Sequence, residues 1–300
     1  MAVPARTRLA ALLATSVVVL AACGTDDDPE ASDPNGSASH GGKPSKSPGS
    51  TDSPAPTDSG SATPDKVAAP LYFVGDTPQG PRLFREFQQV ESDNPVDEAL
   101  AILAAGDAKD PDYRSALPDG TPTLVQGDSS KAIGVNVPAE WADRPDGMSP
   151  KDAVLAIQQI VFTVQGALQS RAPVEFYSDG LTPVFGFDKS TFKSNQDVLA
   201  LVNVTVPEEG ATVGDVFNAS GVANSFEATV PWEIRDESGK KVLDGFATAA
   251  GSMDKLYPWN TEVDASSLAP GTYTVVAMTD DPSDGEGGGP TEDSKTIIKK

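Results

Sequence analysis

Apolar positions fall into three regimes along this chain. Residues 9–22 (LAALLATSVVVLAA) are apolar except at Thr15 and Ser16. Residues 23–66 contain no Val, Ile, Leu, Met, Phe, Trp or Tyr. Beyond them apolar residues return with the periods of strands and helices. Residues 70–74 (PLYFV) read as a short strand, closed by the turn residues Gly75, Asp76, Pro78 and Gly80. In 82–90 (RLFREFQQV) the apolar positions alternate imperfectly, but the aromatic content and the preceding Gly80-Pro81 predict a strand. Asn94 is placed to cap a helix, Pro95 to start it, and Asp97 and Glu98 to fill its positive first turn. Val96, Leu100 and Leu103 share its inner face, and Gly106 stops it. Strands follow near 123–126 and 132–137. A second helix is capped by Ser149, with Pro150 next and one broad stripe of Val154, Ile157, Ile160, Val161, Val164 and Leu168. A strand at 174–177 ends at the Asp179-Gly180 turn. The order β-β-α-β-β-α-β predicts an α+β sandwich, two helices on one face of a sheet, over residues 67–195.

From residue 196 the helical period disappears. Seven short strand candidates, at 201–206, 213–220, 226–235, 240–247, 256–263, 271–278 and 294–298, are separated by turn signals such as Ser238-Gly239 and Pro270-Gly271. Seven strands in about 100 residues predict an all-β sandwich of immunoglobulin type over 196–300, lacking the intersheet disulfide.

Composition narrows the chemistry. Asp+Glu number 44 against 22 Lys+Arg, a net charge of −22, so no basic stripe for nucleic acid can be assembled. Cys23 is the one Cys and His40 the one His. This excludes intrachain disulfides, Cys/His zinc sites and His-dependent nucleophile systems in the folded part. His40 lies in the 23–66 stretch, where Ser, Thr, Pro, Gly, Ala and Asp dominate. Such a stretch cannot form a core and reads as a disordered tether, with a coil dimension of roughly 35–40 Å and a taut length of about 145 Å.

Residues 1–8 carry Arg6 and Arg8 without an acid, and the apolar run after them is too short to span a bilayer permanently. The run ends in Leu20-Ala21-Ala22-Cys23, which resembles the lipobox of bacterial lipoproteins. The resemblance implies cleavage between Ala22 and Cys23, removal of 1–22, and lipid on Cys23 holding the protein at the extracytoplasmic face of the cell membrane. Two or three acyl chains anchor stably where one is marginal.

Within 69–190 the segments LYFV, RLFREFQQV, EAL, LPDGT, VNVPAEW, QQIVFTV and PVEFYSDG resemble, in order and spacing, the GerM N-terminal domain of sporulation and spore-germination proteins. The 145–148 loop departs from that pattern. The resemblance implies an α/β module that acts by assembly or binding, and it carries over no catalytic residue and no cofactor. The run from Val206-Pro207 through Val213 to SGVANSFEA (220–228) resembles the immunoglobulin-like domain that accompanies such modules.

Candidate site residues are then few. Tyr257-Pro258-Trp259 reads as an exposed aromatic turn, so that Tyr257 and Trp259, together with Glu227, are the candidate partner contacts, with core packing at the sandwich end as the alternative. Glu86, Glu227 and Glu233 are the strand carboxylates from which a glycan hydrolase could be built, and Glu227 follows an aromatic in SFEA. Structural pairing is the competing reading for all three. Residues 280–293 hold six acids without a base, yet they lack EF-hand spacing and read as a solvated hairpin loop rather than a calcium site. The sequence therefore points to a lipid-anchored, non-catalytic module that binds an envelope protein complex or the wall. A carboxylate-dependent wall hydrolase and an accessory of a membrane sensor kinase are its alternatives.

Overall fold

The computed structural model describes residues 65–125, 130–178, 183–280 and 288–300. Ala22, Cys23, residues 24–64 of the expected tether and the 179–180 turn lie outside them; Lys66, the last residue assigned to the tether, already opens the first strand. Strands β1 (Lys66–Gly75) and β2 (Arg82–Glu91), ten residues each, pair antiparallel along their whole length as a hairpin. Helix α1 (Pro95–Ala105) begins at Pro95 and ends at Gly106, whose φ of 72° is the left-handed conformation that glycine adopts without strain. Asn94 does not cap it: its side chain makes no capping bond. Instead the first-turn acids reach outward, Glu98 accepting from the Glu91 N–H and Asp97 from the Leu124 N–H. Strands β3 (Thr123–Leu124), β4 (Ile133–Asn136), β5 (Val174–Tyr177) and β6 (Thr191–Phe192) form a second sheet, with β4 and β5 parallel. The strands of the α+β region thus divide between two sheets rather than forming one.

Helix α2 (Pro150–Ala167) lies at the centre. Its capping box is complete: Ser149 Oγ accepts from the Asp152 N–H, and Asp152 accepts from the Ser149 N–H. These Ser149 bonds hold the Asp152 carboxyl below its ordinary pKa. One face of α2, with Ile157, Ile160, Val161 and Val164, enters the main core with Leu71, Phe73, Leu100, Leu103 and Phe176. Leu155 and Phe162, on another face, pack with Val74, Leu83 and Leu199 in a second core cluster. A helix buried on several sides needs partners for its polar residues. Gln158 bonds the Lys193 carbonyl and Asn195 N–H, Gln159 accepts from the Ala116 N–H, and Thr163 accepts from the Tyr72 N–H.

The C-terminal region is a two-sheet sandwich, as its strand spacing predicts. One sheet has the order β11-β10-β13-β14-β8 and the other β12-β9-β7. The members are β7 (Val202–Val206), β8 (Ala211–Val213), β9 (Val216–Ala223), β10 (Thr229–Asp236), β11 (Lys241–Thr248), β12 (Tyr257–Asp264), β13 (Gly271–Met278) and β14 (Glu292–Lys299). The expected 213–220 strand is in fact two. The chain changes sheet at Gly214-Asp215, so β8 pairs parallel with β14 while β9 joins the opposite sheet. Gly221 makes the close packing of β9 against β7 possible, because a Cβ there would stand 1.8 Å from the Asn203 carbonyl oxygen.

Candidate functional site

The predicted aromatic turn is a strand. Tyr257-Pro258-Trp259 opens β12 and pairs with β9, and Trp259, 2% exposed, fills the sandwich core with Val202, Val204 and Trp232. Its indole therefore presents no face to a partner. Tyr257 is half-buried; its hydroxyl donates to Asp254 Oδ1 at 2.7 Å, and the Lys255 ammonium sits 4.9 Å from its ring centre. The bond to Asp254 raises the pKa of the Tyr257 hydroxyl and lowers that of the carboxyl.

Glu227 is not on a strand. It lies exposed in the tight turn Phe226–Ala228 at φ 54°. Burial, and then repulsion from Glu227, push the neighbouring Asp280 carboxyl up. The other two carboxylates are engaged structurally. Glu86 is buried and accepts from the backbone N–H groups of Lys109 and Asp110 and from Gln88 Nε2. Glu233 pairs with Arg235 at 2.9 Å and Lys241 at 3.7 Å. A carboxylate hydrolase needs two acids facing one sugar-sized cleft, and Glu86 and Glu233 are each held by partners of their own. Of the acidic loop, residues 281–287 lie outside the description; Glu292 and Asp293 begin β14 and pair with Arg235 and Lys295. Among the described residues no cluster of three or more potential metal ligands occurs.

What the fold gathers instead is an exposed apolar end of the sandwich. Phe246 is 70% exposed, Met253 68% and Phe226 52%. Phe226 leads the turn into β10, and Phe246, opposite Pro231, is two positions inward from the Thr229–Thr248 pair that closes the same end. The Met253 N–H donates to Asn224 Oδ1, two residues before Phe226. Glu227, Ala228 and Met253 adopt φ of 54°, 60° and 79°, conformations that cost non-glycine residues of order 1 kcal/mol or more and gather at functional sites. A 330 Å³ cleft opens beside Met253 and is shared by Asp254 and Lys255 with Gln79 and Arg82 of the α+β region.

Residues 70–184 match the family model described as sporulation and spore germination, and residues 201–286 match the immunoglobulin-like domain of bacterial spore germination. The chain carries both spore-germination domains. Among solved structures it is similar to the tandem GerMN domains of the sporulation protein GerM from Bacillus subtilis. That match has 16% identity and a TM-score of 0.36, and covers 67% of this chain and 62% of that one. It is also similar to CopC from Methylosinus trichosporium OB3b (22% identity, TM-score 0.23, 33% of this chain and 92% of that one). A mutant thermostable endoglucanase from Alicyclobacillus acidocaldarius matches at 19% identity and TM-score 0.19, over 29% of this chain and 13% of that one. No curated protein matches the chain.

Between the two spore-germination domains lies a buried charge network. Lys295 of the immunoglobulin-like domain donates to Asp110, to the Tyr113 hydroxyl at 2.8 Å and to Asp293 at 3.3 Å. Tyr113 in turn donates to Asp293 at 2.6 Å, and Asp293 also accepts from the Val204 N–H and from Asn203 Nδ2. Burial disfavours the Lys295 ammonium, but Asp293 and Asp110 outweigh it and hold its pKa above the ordinary value. Burial and the same two carboxylates raise Tyr113 strongly. Sequence reasoning missed this cluster. The available signal was charge at inward positions of a period-2 strand, since Asp293, Lys295, Ile297 and Lys299 share one buried face of β14.

Proposed function

We propose that this protein is a lipid-anchored module of the extracytoplasmic envelope that holds a protein partner through the apolar end of its immunoglobulin-like domain, without catalysis. The observation that carries this reading is the solvent exposure of Phe226, Phe246 and Met253 near one end of the sandwich, beside the left-handed turn at Glu227 and Ala228, in an otherwise strongly acidic molecule. Contiguous exposed apolar side chains on a soluble domain mark contact surfaces. The Leu20-Ala21-Ala22-Cys23 sequence supports the anchor. A tether from Cys23 would raise the effective concentration of the domains near other envelope proteins.

A photo-crosslinking residue at position 246 of the full chain, expressed in its own membrane, tests the contact. A discrete adduct is expected, reduced at least tenfold by Phe226→Ser with Met253→Ser. Crosslinking that persists in that variant refutes the contact surface. Cys23→Ser should abolish palmitate labelling and release the protein; retained label refutes the anchor. Release of muropeptides from peptidoglycan that is lost in Glu227→Gln or Glu86→Gln would replace binding with hydrolysis.

A further inference from the structure

The molecule has two acids for every base, and Arg114 and Arg235 each find a carboxylate. Arg85 and Arg171 do not. Among the described residues Arg171 has no hydrogen-bond or ion-pair partner, and Arg85 has a 3.3 Å bond from Nη2 to Thr205 Oγ1 and a place over the Phe87 ring. Both line one cleft where α2, the β1–β2 hairpin and the immunoglobulin-like domain meet. The cleft has two lobes, of 290 and 180 Å³, joined along Tyr72, Phe162 and Arg171, and no Asp or Glu lines either lobe. In a chain of net charge −22, two arginines lining a cavity without a carboxylate are a site of locally reversed potential.

The walls carry a second and a third chemistry. Tyr72 and Phe162 lie tilted against each other, with ring centres 5.1 Å apart at 30°, and give an aromatic surface. Its floor is rigid: the Tyr72 N–H is bonded to Thr163 Oγ1, and Gly166 lets α2 approach so closely that a Cβ there would stand 2.4 Å from Pro70. On the inner lobe, Arg85 Nε and Asn203 Oδ1 are buried without partners, an orphaned donor and an orphaned acceptor on one wall. Such atoms cost roughly 1–3 kcal/mol each while they stay unpaired. The Asn203 amide cannot flip to relieve this, because its Nδ2 is spent on Asp293 at 2.9 Å.

We propose that this cleft binds a sugar acid: a ring lying on Tyr72 and Phe162, its carboxylate taken by Arg171 and Arg85, and a hydroxyl or amide N–H accepted by Asn203. The guanidinium fork matches a carboxylate with two parallel hydrogen bonds. The two orphaned atoms are screened from bulk water, so Arg85 completes the site by a small turn of its side chain over the ligand. The exposed Arg171 supplies first capture. This site uses no residue of the apolar sandwich end, and either proposal can fail alone.

The test is ligand-observed and arginine side-chain NMR on the full chain with four probes: N-acetylmuramic acid, glucuronic acid, N-acetylglucosamine and inorganic phosphate. The two acids are expected to bind with Kd on the order of 1 mM and to shift the Arg85 and Arg171 Nε–H signals, while N-acetylglucosamine does neither. Arg171→Ala should weaken the acids at least tenfold, Arg171→Lys should restore part of the loss, and Tyr72→Ala should weaken both. Arg171 is exposed, so its variants keep the fold, and an unchanged melting temperature checks this. Equal binding of N-acetylglucosamine overturns the carboxylate assignment. Inorganic phosphate binding as tightly as the sugar acids overturns the ring assignment. Absence of binding by either acid at 20-fold the expected Kd overturns the site.

Discussion

Replacing Lys295 by Met removes the ammonium from the junction network but keeps the length of the side chain. In the native protein its Nζ stands 3.3 Å from Asp293 Oδ1 and is closer still to Asp110. At an effective dielectric of 20, two unit charges at 3.3 Å attract by about 5 kcal/mol, and the desolvation of each group offsets much of that gain. The variant loses the attraction and keeps the penalty of two buried carboxylates, so the net loss is about 3–5 kcal/mol. For a folded part of this size each kcal/mol moves Tm by about 2–4 °C, so Tm should fall by roughly 6–20 °C. Because Lys295 binds the two domains together, the melt should also split from one transition into two. The penalty must depend on pH. Burial already raises the Asp293 pKa against the pull of Lys295, and without the ammonium that folded pKa stands further above the unfolded one. Its contribution to stability is then present at low pH and lost as pH rises, and the variant should lose less at pH 4.5 than at pH 7. Asp110→Asn and Asp293→Asn in the same background should recover at least half of the loss. A Tm within about 2 °C of the wild type at pH 7, or a penalty that grows on acidification, would refute the reasoning.

Tyr113 and Lys295 both have raised pKa values in the folded state. Their stabilisation is therefore complete below pH ~10 and lost above it, at up to about 1.4 kcal/mol per pH unit per group; Tyr113→Phe should flatten the alkaline limb of a denaturant-melt series, and an unchanged limb counts against the assignment. Gly221→Ala forces a Cβ to within 1.8 Å of the Asn203 carbonyl and should cost about 3 kcal/mol or more by urea titration, whereas Gly210→Ala, with nothing within 4 Å but φ of 73°, should cost about 1 kcal/mol. Ser149→Ala opens the capping box of α2 and should cost about 1 kcal/mol, with a smaller loss in acid, once the pH falls through the lowered Asp152 pKa.

Local pattern carried much of the architecture. The Pro95 start and Gly106 stop of α1, the Ser149 cap of α2, and the strand-and-turn spacing after residue 200 are all properties of contiguous residues, and the structure keeps them. Both spore-germination domains were legible for the same reason, through ordered short segments. Period alone could not say how many sides of an element are covered. The predicted stripe on α2 became a helix buried on several faces, because two sheets, a loop and Leu199 all close on it. Nor could it tell an exposed aromatic from a core one. Tyr257-Pro258-Trp259 looks like a turn, but pairing with β9 turns Trp259 into the sandwich. The chemistry of the junction was the least legible. Lys295 and Tyr113 are 182 residues apart, as are no two positions that a local periodicity can relate. The same holds for Arg85 and Arg171, which line one cleft because α2 packs across the β1–β2 hairpin. Sequence period is set by the geometry of one element, whereas the meeting of side chains from several elements is set by strand order and packing, and these exist only in the folded chain.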